Sequence, residues 1–134
     1  MKTISCIVFT LLLFSCGKRS AISKKLSVCD SLVITFNIPD TDSVIKIVSA
    51  TDKKAIRKLA GFLEGKKTEE STCGFDGNLI FYSKGEILQE VIFQYKEKNC
   101  RRFMFDLDNK VMTTSMSNEA ANFFENLAAG NPAY

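Results

Sequence analysis

Apolar residues that recur at every second position constrain this chain most. Leu32, Ile34, Phe36 and Ile38 alternate with Val33, Thr35 and Asn37. A period of two marks a strand with one face on a core. Pro39-Asp40-Thr41-Asp42 reads as a turn, and Val44 to Val48 as a return strand, so residues 31–49 form a hairpin. The pattern resumes downstream. Asn78 to Tyr82 is a strand, and Ile87, Gln89, Val91, Phe93 and Tyr95 alternate through a longer one. Phe103, Phe105 and Leu107 share one face of the next, and Val111 to Met116 makes the last. Ser83-Lys84-Gly85-Glu86, Lys96 to Asn99 and Asp108-Asn109-Lys110 supply the turns of a meander.

Two stretches switch to helical spacing. Thr51-Asp52 is a helix start, and Ala55, Ile56, Leu59, Phe62 and Leu63 form its apolar stripe, ended by Gly65. Lys66 to Thr72 is a polar loop. Ser117 and Asn118 cap a second helix whose stripe is Ala120, Ala121, Phe123, Phe124 and Leu127, stopped by Gly130 and Pro132. The order β-β-α-β-β-β-β-α over residues 31–134 predicts an α+β domain. An antiparallel sheet of about six strands would carry two helices packed on one face.

The first sixteen residues read as an address. Met1-Lys2 is a positive start, and Ile4 to Phe14 is an uncharged, mostly apolar run. A helix needs about 20 residues to cross a bilayer core, so this run is too short to span one. Leu13-Phe14-Ser15-Cys16 resembles the lipobox of bacterial lipoproteins, in which the Cys is lipidated and becomes the new N-terminus. The alternative is an ordinary cleaved signal peptide. The resemblance implies that residues 1–15 are removed, that Cys16 carries lipid, and that the membrane is a partner through that lipid. No Asp stands second after Cys16, which in the family implies an outer-membrane anchor, on its periplasmic or surface side. Residues 16–30 then read as the lipidated Cys and a basic tether bearing Lys18, Arg19, Lys24 and Lys25. A flexible coil of that length spans about 20 Å.

Export changes the cysteine arithmetic. Cys6 leaves with the leader and Cys16 is lipidated, so Cys29, Cys73 and Cys100 remain. Cys73 and Cys100 each precede a strand of the meander, and alternate strands of a meander start at the same end. The two can therefore meet, and a bridge between them would stabilise the fold by about 3.6 kcal/mol in the chain-entropy treatment. Two buried thiols are the alternative. Cys29 has no assigned role.

Catalytic constellations are hard to find. The chain contains no histidine, which removes Ser-His and Cys-His nucleophiles and imidazole metal ligands. A hydrophobic share of 46% excludes a disordered chain, and a net charge of +3 is too small to suggest nucleic-acid binding. Asp106-x-Asp108-Asn109 begins like a calcium loop but continues with Val111 where Gly belongs. No cofactor is expected. A basic surface could form from Lys53, Lys54, Arg57 and Lys58 on the first helix and Arg101 and Arg102 near a turn, although solvated helix faces and hairpin tips look the same.

The mature part weakly resembles small lipoproteins of the Bacteroidota kind, through Cys73-Gly74-Phe75-Asp76-Gly77-Asn78, Cys100, and Ser117-Asn118-Glu119-Ala120. That resemblance implies no activity. The expectation is a lipid-anchored, non-catalytic envelope protein with a binding or accessory role, an envelope protein being one candidate partner. The alternative is an inhibitor or immunity-type protein that blocks a secreted enzyme or toxin.

Overall fold

A computed structural model of the chain describes residues 20–69 and 73–131. Six strands form one antiparallel sheet: β1 (Ser31–Asn37), β2 (Val44–Ala50), β3 (Gly77–Ser83), β4 (Glu86–Gln94), β5 (Arg102–Leu107) and β6 (Lys110–Ser115). Their spatial order is β2-β1-β3-β4-β5-β6. Three helices accompany them: α1 (Ala21–Leu26), α2 (Lys53–Phe62) and α3 (Asn118–Ala128). The α+β class and the order of strands and longer helices agree with the alternation read from the sequence.

The turn chemistry explains the meander. Lys84 and Gly85 join β3 to β4 with φ of 51° and 77°, and Asp108 and Asn109 join β5 to β6 with φ of 51° and 63°. Two consecutive left-handed residues are the signature of the tight hairpin turn that matches strand twist. Asp108 and Asn109 thus serve a turn.

All three helices lie on one face. Leu32, Ile34, Phe36, Leu79, Phe81, Val91, Phe93, Phe103 and Phe105 point to that side and join Ile56, Leu59, Phe123, Phe124 and Leu127 in one buried cluster. Phe124 stacks on Phe93 with ring centroids 4.4 Å apart, and Phe36 meets Phe93 edge-on at 5.7 Å. Asp52 caps α2 through the Lys54 and Ala55 N–H groups, and Ser117 caps α3 through the Ala120 N–H.

The tether expectation needs correction in part. Residues 21–26 form α1, whose Ile22 and Leu26 are buried in the same core. Ser20 accepts from the Ser23 N–H as its cap and donates to Glu64 at 2.6 Å. The folded unit therefore includes α1 and does not begin at Ser31. A helix of six residues offers only two apolar positions, too few to show a period. The leader, Cys16 and the first residues of the expected tether lie outside the described residues.

The two edges of the sheet end differently. Beside β6 runs the segment 66–69: the Ser115 N–H donates to the Lys66 carbonyl at 2.8 Å, and the Thr68 N–H to that of Thr113 at 2.9 Å. Lys67 and Thr114 form a β-bridge. The expected polar loop is thus half a strand. Among the described residues nothing pairs with the outer side of β2.

Candidate functional site

The sequence-derived site residues separate into three places. Lys53, Lys54, Arg57 and Lys58 stay together on the exposed side of α2. Lys53 and Arg57 flank a hollow of about 740 Å³ that α1 shares, but Asp30 and Glu64 line it too, so its charge is mixed. Lys58 lies 3.9 Å from Glu119 and near the Phe123 ring.

Arg101 and Arg102 are instead spent on structure. Arg101 donates to the Tyr95 carbonyl at 2.9 Å and pairs with Glu125 at 3.7 Å. Arg102 donates to the Cys100 carbonyl at 3.1 Å and to the Cys73 sulfur at 3.4 Å. Both are half-buried. Neither presents a free guanidinium to a partner.

Cys73 and Cys100 form a disulfide with Cα atoms 5.8 Å apart. They meet because β3 and β5 flank β4 and run in the same direction. The bridge pins residues 73–76, a strap that leads into β3. Asp40 holds the strap from the other side, its carboxylate accepting from the Phe75 N–H at 3.0 Å. Gly74 passes so close to that carboxylate that a Cβ would collide with it. Asp76, which ends the strap, is buried, and one of its carboxylate oxygens accepts from the Tyr95 and Lys96 N–H groups at 2.9 and 3.0 Å. Cys29 lies at the foot of α1, half-buried, and burial pushes its thiol up from its ordinary pKa.

The remaining surface is the second face of the sheet. Among the described residues, the face of the sheet opposite the three helices carries no helix. Along it, the cross-strand row Ile47, Thr35, Asn78, Ile92, Met104 and Thr113 lies beside a second row with Val33, Ile80 and Val111. Ile47, Ile92 and Val111 are 64%, 42% and 51% exposed. A trough of about 520 Å³ runs over Ile80, Ile92 and Met104, with Phe75 of the strap at its side. Asp42, Glu90 and Asp106 rim it, all three exposed. None of these carboxylates makes an ion pair among the described residues. The signal was present in the alternation, since Val33, Ile80, Ile92 and Met104 are the off-phase apolar residues of their strands.

Among the described residues no group of three or more His, Cys, Asp or Glu side chains could hold a metal ion, and no helix is long and apolar enough to cross a membrane. Comparison with known protein families, curated proteins and solved structures finds no match.

Proposed function

We propose that this chain is a lipid-anchored envelope protein that acts by binding, with the uncovered sheet face as its docking surface. The observation that carries the binding role is the apolar trough over Ile80, Ile92 and Met104, on a face that no helix among the described residues covers. Its rim of Asp42, Glu90 and Asp106 selects the partner: a protein surface that sets apolar side chains beside Lys or Arg. The anchor rests on the resemblance of Leu13-Phe14-Ser15-Cys16 to a lipobox. Lipid on Cys16 would hold the domain at a membrane, and the outer membrane is the favoured one. Lys53, Lys54 and Arg57 of α2 lie on the helix side of the molecule, away from the trough, where they can meet anionic head groups at about 1 kcal/mol each.

Two labels in living bacteria test the two halves. A palmitate analogue should label the full chain and fail to label Cys16→Ala. A photocrosslinker in place of Ile92 should capture a basic protein, and the capture should vanish in Glu90→Lys/Asp106→Lys. Crosslinks that arise from Lys54 and not from Ile92 would place the docking surface on α2 and refute this reading of the trough. If the captured protein is an enzyme or toxin whose activity falls on addition of this chain, the binding role is that of an inhibitor.

A further inference from the structure

We infer that the outer edge of β2, unpaired among the described residues, pairs with β2 of a second copy of this chain, antiparallel and centred on Val48. The backbone phase comes first. The Asn37 N–H donates to the Asp76 carbonyl in the β1–β3 register, so the odd-numbered residues of β1 bond to β3 and the even-numbered ones to β2. Leu32, Ile34 and Phe36 face Ala50, Val48 and Lys46. The N–H and C=O groups of Ile47 and Ser49 therefore point away from the sheet. Such a row is a template on which a further extended strand can pair.

Three features make an identical strand a fitting occupant. First, Ile45 is the extra residue of a bulge, because Phe36 faces Lys46 and Asn37 faces Val44. The regular stretch is thus Lys46 to Ala50, and Val48 is its centre. An antiparallel copy about Val48 overlaps it completely and sets Ile47 against Ser49 of the copy twice. Second, Lys46 is the only charged residue of β2. This pairing places it opposite Ala50 of the copy, so no like charges meet. Third, Lys46 already donates to the Leu127 and Ala128 carbonyls at 2.7 and 3.3 Å, which draws its charge to the C-terminus of α3 and away from the edge. The edge that remains carries Ile47, 64% exposed. The opposite edge of the sheet is already occupied by residues 66–69. The pair would join two sheets into one, with all helices on one side and a doubled open face on the other.

The test is sedimentation velocity on the purified full chain in detergent, from micromolar to millimolar protein, with Ile47→Pro and Ile47→Lys. Proline at an outward-facing edge position removes no bond of the β1–β2 ladder, so Ile47→Pro should keep the parent's circular dichroism and thermal midpoint. The parent should dimerise as concentration rises and both variants should stay monomeric. Val111→Lys, exposed on β6, should dimerise like the parent. Amide exchange at Ile47 and Ser49 should slow with concentration in the parent. A parent that is monomeric throughout overturns the inference, as does a dimer that survives Ile47→Pro. Loss in Ile47→Lys alone would show side-chain contact without strand pairing, and overturns it too.

Discussion

Ile92 and Phe93 are neighbours in β4, yet one is 42% exposed and the other fully buried. They sit on opposite faces of one sheet. The helix side holds Phe36, Phe81, Phe93 and Phe103 against α2 and α3. The other side holds Val33, Ile80, Ile92 and Met104, with the strap beside them. Both faces are apolar enough to be covered, and the described helices cover one. The comparison teaches that apolar character on a strand marks a face that something can cover, whereas the helices decide which face becomes the core.

Truncating each neighbour breaks or sharpens that contrast. Phe93→Ala removes a ring that stacks on Phe124 and should cost about 3–5 kcal/mol. Ile92→Ala should cost less than about 1 kcal/mol, because its side chain already meets water. Urea unfolding of the full chain measures both. Comparable losses would mean that the open face is covered in the isolated protein.

The disulfide tests the strap on the open side. Cys73→Ser/Cys100→Ser should lower stability by about 3.6 kcal/mol if the bridge acts by restricting the unfolded chain. Because Asp40 still accepts from the Phe75 N–H, and Arg102 still reaches the Glu69 carbonyl, the strap's position should persist in the variant. Chemical shifts confined to residues near Cys73, Cys100 and Phe75 would bear this out. Shifts spread through Ile80 and Ile92 would show that the bridge shapes the trough itself.

These two regions also differ in how far the sequence discloses them. The alternation in β1, β3 and β5 and the stripes of α2 and α3 read directly, because each buries a regular series of apolar residues. Irregular backbone hides the rest. In β4, Phe81 faces Gln89 while Tyr82 faces Ile87, so a bulge at Leu88 turns Ile87 outward although it continues the odd-numbered series. Residues 66–69 join the sheet through backbone bonds alone, and polar side chains give no sign of it. The trough is assembled from single off-phase residues of separate strands. Pairing register brings them together, and register is not written in any one strand.

Lys46 tests the contrast between edges at smaller scale. Lys46→Met keeps the aliphatic stem and removes the donor to α3, and should cost about 0.3–1 kcal/mol, less at high salt. The matching change at the covered edge, Lys67→Met, should cost nothing measurable, since that segment is held through its backbone.

The smallest effect concerns Cys29, and it decides whether α1 is docked or a tether. Burial raises the thiol pKa above its ordinary value, outweighing the backbone hydrogen bonds that lower it. The thiolate is the form that alkylates. With α1 seated through Ile22 and Leu26, iodoacetamide should modify Cys29 more slowly near pH 8 than it modifies the same thiol in unfolded chain, and the two rates should converge as pH climbs past the raised value. The sign for stability follows. The folded protein retains the thiol proton longer than the unfolded one, so this contribution is full below the ordinary thiol pKa and is lost as pH rises through the folded value. Peptide mass mapping of the unreduced full chain reads the rate. Equal rates in folded and unfolded protein near pH 8 would mean that α1 does not shield Cys29, and residues 20–30 would then be the flexible tether their composition suggests.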